Sequence, residues 1–433
     1  MLFLFFHIDI YLSTKITFFP VRQFYLVLIM CYISDMKLSV DSEIFTRCVA
    51  DIIPKDTLES VLAQNKNLRI KHGIDATSPF LHLGHAANLW KLRSLQEAGH
   101  KAVILLGDFT TKIGDPTGRT KSRPVLSDKE ISANIKSIKG QIEHILLTDP
   151  EVYEVRQNSE WFSKMKTAEF LGLVSTVTHA RLIERDMFQE RIKKGLEINM
   201  AEILYPILQG YDSVMLGSDM TIIGSDQIFN EHLGRFFQER FGHTPQIIMG
   251  LEIIPGLDGG EKMSKSANNF IGLLDSPTDK FGKAMRLPDN LIIPYLKAYT
   301  DVSMTKIKEI EKTLQNGGNP MEAKFFWAER LAARYHGDKI AIQEKENFIN
   351  IFSEKKTPLD IPVLKVEKSV WAPVELLVET GLAGSKSEAR RLLKQKSVDI
   401  NGETLNGEEK QITLGQDALI QVGKRKFVRI KVE

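Results

Sequence analysis

Cysteine is nearly missing from this chain of 433 residues, which holds Cys31, Cys48 and no CxxC pair. That excludes a disulfide framework and a cysteine-ligated zinc site, and it suits a reducing, cytoplasmic compartment. A strong charge bias is missing too. The formal net charge is +2, so any nucleic-acid surface has to be a local patch. No apolar run approaches the roughly 20 residues that cross a bilayer, and no membrane partner is expected. No GxGxxG follows the first expected strand, which removes the main support for a dinucleotide site. Internal repeats and low-complexity tracts are lacking as well.

What is present is an ordinary globular composition, 43% apolar and 26% charged, in a chain too long for one compact core. Residues 1–35 stand apart, rich in Phe, Leu, Ile and Tyr but without the basic start and cleavage site of a signal peptide. They read as an upstream start or a disordered tail, with a membrane-associating segment as the alternative. "NLRIKHGID" (67–75) reads as a buried strand running into a glycine turn. A helix from about Leu83 to Ala98 follows, stopped by Gly99, and then an apolar strand, "KAVILLGD" (101–108). Strand, helix and strand at this spacing form a parallel βαβ unit, hence an α/β, Rossmann-like sheet. "QIIMGLEIIPG" (246–256) reads as a strand pair ending in a glycine loop. From Asp275 the pattern is helical, 353–372 is a charged, proline-broken linker, and a small α+β module ends the chain.

"HLGH" places His82 and His85 at a helix start, beyond the carboxyl end of a parallel strand. Ligands of open α/β sheets bind at that edge. Metal ligation, acid/base work and phosphate contact are all open to two histidines, but no third zinc ligand lies at a familiar spacing. Free amides at a helix start attract phosphate, and Gly84 lets a base or ribose approach the backbone. "EKMSKS" (261–266) sets Lys262 and Lys265 around Met263 and Ser264 on a glycine-rich loop. Lysines on such a loop suit a polyphosphate leaving group. Tyr205, Gln209 and Asp212 fall at i, i+4 and i+7, one polar stripe on an apolar helix. Such a stripe fits a small polar ligand.

Five collinear blocks, "GIDATSPFLHLGH", "GDFTTKIGDPTGR", "EILYPILQGYDSV", "IIGSDQIFN" and "GLDGGEKMSKS", resemble those of bacterial tyrosyl-tRNA synthetases, across residues 40–433. The resemblance implies a catalytic domain over 36–274 with a dimerisation insertion, and an α-helical anticodon-binding domain over 275–352. It implies that His82, His85, Thr77, Lys262, Lys265, Arg119 and Arg123 act on the phosphates. Gly84, Asp75, Asp226, Met263 and Ser264 would bind ATP. Tyr205, Gln209 and Asp115 would hold the substrate ammonium and Gln227 would lie near its carboxylate. Asp212 would accept the phenolic hydroxyl, with Gly73 and Lys71 alongside. Lys71, Ala76 and Ile223 depart from the usual pattern, Lys71 standing where many members carry tyrosine.

In "GSKSEARRLLKQKSVDINGETL" a capping box from Ser385 to Glu388 opens a helix whose Arg390, Arg391 and Lys394, with Lys386, form a basic face. "DINGE" supplies a strand and a tight turn. The module, 373–433, resembles the S-four type of RNA-binding domain, here for tRNA. The implied partners are L-tyrosine, tRNA(Tyr) and a second copy of the chain, with ATP as substrate, Mg2+ accompanying it and no protein-bound metal. A tryptophanyl enzyme, a catalytically idle RNA-binding relative and a small-molecule nucleotidyltransferase are the rival readings.

Overall fold

The apolar runs expected as strands lie side by side in one sheet. The computed structural model describes residues 38–115, 126–264, 267–352, 361–405, 409, 411–423 and 426–432. The expectations for residues 1–35 and for Arg119, Arg123 and Lys265 therefore lie outside the described residues. The strands are β1 (Val49–Ile53), β2 (Arg69–Asp75), β3 (Lys101–Gly107), β4 (Tyr153–Gln157), β5 (Met220–Gly224) and β6 (Ile247–Leu251). Among the described residues their order is β1-β6-β5-β2-β3-β4. β1 is antiparallel to β6 and every other pairing is parallel. Every residue of β6 and all but the first of β3 are buried, as parallel strands covered on both faces require.

The chain leaves β2 toward β3 and β4 on one side and returns through β5 on the other. β2 and β5 thus flank the topological switch point, where such sheets bind ligands. Their two register pairs, Ile70–Met220 and Lys71–Thr221, sit at the amino-terminal end of the contact. The carboxyl ends of the two strands are Asp75 and Gly224. The expected turn at Gly73 is absent, since Gly73 continues β2 opposite Leu105. The expected strand pair at 246–256 is one strand, Ile247–Leu251, followed only by an isolated antiparallel bridge between Pro255 and Lys262.

Helices cover the sheet. In α1 (Leu83–Glu97), Leu83, Ala86, Leu89, Leu92 and Leu95 form a fully buried stripe, and Gly99 ends the turn at φ +87°. α2 (Asp128–Glu143) starts with a reciprocal Ser127–Glu130 capping box. α3 (Met200–Leu216) and α4 (Ile228–Arg240) pack together through Ile203, Ile207, Leu233 and Phe237. No helix among the described residues is long and apolar enough to cross a membrane.

A second compact unit comprises 275–293 and 300–433. Its first part holds α5 (Pro277–Ala284), α6 (Met304–Gln315), α7 (Pro320–His336) and α8 (Asp338–Phe352). Trp327 is fully buried and its indole donates to the Ala284 carbonyl at 3.2 Å. The rest contains β7 (Val363–Val366), β8 (Val370–Trp371), α9 (Pro373–Glu379), α10 (Lys386–Lys394), β9 (Val398–Ile400), β10 (Glu403–Thr404), β11 (Ile412–Thr413), β12 (Asp417–Val422) and β13 (Lys426–Val432). Five of these strands form a sheet ordered β10-β9-β12-β13-β7. The stretch expected as linker is thus partly module, because β7 adds in parallel to β13 at the sheet edge. Pro362, just before β7, is tolerated at that edge.

Candidate active site

The two histidines cap their own helix. His82 is the N-cap of α1, and its Nδ1 accepts the Gly84 N–H at 3.2 Å. The His85 Nδ1 in turn accepts the His82 N–H at 3.3 Å. The rings lie 4.0 Å apart, tilted by 54°. Because each Nδ1 accepts, the network assigns the hydrogen of each neutral imidazole to Nε2. Two ring donors thus stand at the head of α1, where the Leu83 and Gly84 amides are already used by the Ile271 carbonyl and the His82 ring. A Cβ on Gly84 would come within 3.0 Å of the His82 ring, so the glycine makes room for the cap itself.

The lysine loop is sewn to this helix start. The Leu83 N–H donates to the Ile271 carbonyl and the Leu273 N–H to the Leu81 carbonyl, both at 3.0 Å, forming a bridge between His82 and Gly272. The Phe270 ring lies 5.8 Å from that of His82. Lys262 pairs with Asp226 at 2.6 Å. Met263 is buried, and the Ser264 N–H donates to Asn269 Oδ1 at 2.8 Å. The buried Asn269 also donates from Nδ2 to both Asp258 oxygens, at 3.1 and 3.2 Å. Its carbonyl accepts the Leu257 N–H at 2.8 Å. Asn269→Ala is expected to free Ser264, raising its amide hydrogen-exchange rate about ten- to a hundredfold for a lost buried bond of about 1–3 kcal/mol. Unchanged exchange would show that the loop is held otherwise.

Acids meet at the sheet's carboxyl edge. Asp75, ending β2, accepts the Thr110 hydroxyl at 2.7 Å and the Tyr205 hydroxyl at 2.9 Å. A Cβ on Gly107 would collide with the Asp75 carboxylate, so that glycine lets the contact form. Burial, then Asp75, pushes the Tyr205 phenol well above its ordinary pKa. Asp115 accepts from Gln227 Nε2 at 2.8 Å. Asn230 Nδ2 donates to Gln227 at 2.9 Å and to Gln209 at 2.8 Å. Gln209 Nε2 then donates to Glu231 at 2.8 Å. One hydrogen-bonded chain thereby joins three residues, Asp115, Gln227 and Gln209, drawn from separate sequence blocks.

Asp212 is buried below that chain. Its Oδ1 accepts the Trp161 indole N–H at 2.9 Å and its Oδ2 the Asn158 amide at 3.4 Å. Desolvation raises its pKa to about 8, with Lys71 the leading opposing influence. Lys71, expected alongside the substrate, is buried, and its Nζ donates to Ser213 Oγ and Glu231 Oε2, each at 2.7 Å. Gly73 leaves open space, with nothing within 4 Å of an added Cβ, and Thr77 is half-buried after β2.

The sequence reading missed Asn158, Trp161, Thr110, Glu231, Asn269 and Arg185. Arg185 is buried, its guanidinium 5.0 Å from the Phe229 ring centre. Burial lowers its pKa against the opposing carboxylates of Asp115 and Asp226. Thr110 lies within the "GDFTTKIGDPTGR" block, but no local pattern marks the other five; only the fold gathers them. Among the described residues no group of three or more His, Cys, Asp or Glu could hold a metal ion.

On α10, Lys386, Arg390, Arg391 and Lys394 are all exposed or half-exposed while Ala389 and Leu393 are buried. The expected capping box is only half formed. Ser385 Oγ accepts the Glu388 N–H at 3.1 Å, but the Glu388 carboxylate reaches the Gly384 N–H at 2.9 Å. Asn401 and Gly402, at φ 50° and 87°, make the tight turn between β9 and β10.

Two family models match the chain: class I tRNA synthetases (W and Y) over residues 63–353, and the tyrosine–tRNA ligase SYY-like C-terminal domain over 354–430. The tyrosine–tRNA ligase of Moorella thermoacetica is 42% identical over 393 residues, covering 89% of this chain and 94% of that protein. That of Thermotoga maritima is 42% identical over 391 residues, covering 90% and 96%. Among solved structures, a C-terminally truncated Aspergillus nidulans mitochondrial tyrosyl-tRNA synthetase aligns with a TM-score of 0.61 at 22% identity, covering 76% of this chain and 98% of that one. The Archaeoglobus fulgidus tyrosyl-tRNA synthetase complexed with L-tyrosine aligns at 0.55 and 20% identity, over 73% and 99%. At these identities the structures speak for the fold.

Proposed function

The chain belongs to the tyrosine–tRNA ligases, within the class I tRNA synthetases, and from that membership we propose how its own residues divide the reaction. L-Tyrosine and ATP form tyrosyl-adenylate and pyrophosphate, and the tyrosyl group then passes to the 3′ end of tRNA(Tyr). The single observation that carries the tyrosine assignment is Asp212, a buried carboxyl whose two protein partners are both donors. A phenolic O–H supplies a third.

Tyr205, Gln209 and Asp115 hold the substrate ammonium, and Gln227 lies toward the carboxylate. Arg185, close enough to feel Asp115 and Asp226, belongs to the same charged rim. When the tyrosine carboxylate attacks the α-phosphorus, the bond to pyrophosphate breaks and negative charge moves onto the leaving oxygens. The Nε2–H groups of His82 and His85, the Lys262 ammonium, and by resemblance Thr77, Lys265, Arg119 and Arg123 stabilise that charge. No enzyme nucleophile is needed, so positioning and electrostatics supply the acceleration. Asp226 and Asp75 take the ribose and adenylate, with Gly84, Met263 and Ser264 along the nucleotide. Mg2+ enters on the triphosphate as part of the substrate.

The α5–α8 helices form the anticodon-binding part. The module from residue 361 is an S-four-type RNA-binding domain whose basic α10 face meets tRNA phosphates. The protein works as a cytoplasmic homodimer with one tRNA across both subunits. An apolar groove of about 310 Å3, lined in part by Phe109, Ile113, Phe162, Met165 and Phe170, suits self-association. Amino-acid-dependent exchange of labelled pyrophosphate into ATP, run over all twenty amino acids, tests the reading. Exchange with tyrosine alone is expected. Exchange with tryptophan alone, or with none, refutes it.

A further inference from the structure

Lys71 stands where many members of the family carry tyrosine, and its ammonium is buried in an ion pair. Its side chain is 2% exposed and that of its partner Glu231 is 1% exposed, with 2.7 Å between them. Taking two charges out of water costs several kcal/mol per ion, and apolar residues often fill such a site equally well. The rest of the cluster is fully occupied: Gln246 Nε2 donates to Glu231 Oε2 at 2.7 Å and to Ser213 Oγ at 3.1 Å.

The pair is also oriented. The ammonium end bonds Ser213, the residue after Asp212 on α3, while the carboxylate end sits on α4 and holds Gln209. Charged and titratable groups around Asp212 are Lys71 and Asp75 from β2, Glu231 from α4, and Tyr205 from its own helix. Lys71 is the one cation among these named groups. Asn158 and Trp161 face the same carboxyl as neutral donors.

We propose that Lys71, fixed by Glu231 and Ser213, is a specificity-determining positioning residue of the tyrosine pocket. It fixes Ser213, the residue after Asp212 on α3, and through Glu231 ties that stretch to Gln209, so that the Asp212 carboxyl stays placed for a hydroxyl-bearing substrate. The inference rests on the tyrosine reading of the pocket. Burial lifts the Asp212 carboxyl to about 8, so near neutral pH it holds its proton. A protonated carboxyl both donates and accepts, so a substrate hydroxyl satisfies it and phenylalanine leaves it unpaired.

The test is pyrophosphate exchange by the full chain with tyrosine and with phenylalanine, between about pH 6.5 and 8.5, for Lys71→Met, Glu231→Gln and the double variant. Lys71→Met is expected to raise the KM for tyrosine about tenfold, leave the KM for ATP within about twofold, and cut the tyrosine preference about tenfold. The double variant removes both buried charges and so regains thermal stability relative to either single one. Its preference should stay low, because Ser213 has lost the ammonium that fixes it. Recovery of the tyrosine KM and preference in the double variant would reduce the pair to a structural one and overturn the proposal. So would an unchanged preference in Lys71→Met. Should a single variant fail to fold, the double variant still separates the two outcomes. Absence of tyrosine exchange by the unaltered protein would instead overturn the pocket reading beneath it.

Discussion

Asp212→Asn should all but abolish the preference for tyrosine over phenylalanine, by a loss of about two to four orders of magnitude in the ratio of kcat/KM. Sites that hydrogen-bond a substrate hydroxyl reject the analogue lacking it by about 10⁴–10⁵, and the tyrosyl-tRNA synthetases are the very case behind that figure. Phenylalanine leaves the buried Asp212 with its two protein donors and no third, in a place where water is costly to admit. Asparagine keeps the volume but sets its own N–H groups against the Trp161 indole or the Asn158 amide, which donate at 2.9 and 3.4 Å. Tyrosine therefore loses most, phenylalanine little and ATP least. Equal losses for both amino acids would remove Asp212 from its assigned place.

The same carboxyl leaves a mark on stability. The native state keeps its proton up to about 8, against an ordinary value of 3.8. Across that window the folded chain binds more protons than the unfolded one, so stability falls as pH rises through it. Asp212→Asn abolishes this contribution. Thermal midpoints measured across the window should decline less steeply in the variant than in the parent, and parallel curves would contradict the assignment.

Much of this is legible in the sequence, for reasons that differ residue by residue. Leu83 to Leu95 announces α1 by helical spacing, and "KAVILLG" announces β3 by being apolar throughout. Tyr205, Gln209 and Asp212 share a helix face by arithmetic alone. The parts that are not legible depend on contacts between distant segments. Glu231 is one more acid on an amphipathic helix until Lys71, 160 residues earlier, is set against it. Trp161 and Asn158 carry no motif, and their role exists only because β4 delivers them beside α3. Gly73 and the 246–256 segment mislead because a lone glycine and a long apolar run each fit two backbone paths. β7 is hidden because the prolines around it read as a linker, although an edge strand tolerates them.

His82→Ala should lower the rate of adenylate formation by about 10²–10³, the usual loss when one preorganised donor to developing charge is removed. Tyrosine binding should stay within a few-fold of the parent, since Asp212 is held by Trp161 and Asn158, and Gln209 by Asn230 and Glu231. Alanine also removes the N-cap of α1, at a cost of about 0.5–2 kcal/mol, so rate and stability fall together in that variant. His82→Asn separates them. Asparagine is a good N-cap and can accept the Gly84 N–H as the imidazole does, but it carries no ring donor beyond the cap. Its thermal midpoint should return to that of the parent while single-turnover adenylate formation stays slow. If restoring the cap restored the rate, His82 would serve only to start the helix, and charge stabilisation would fall to His85 and Lys262.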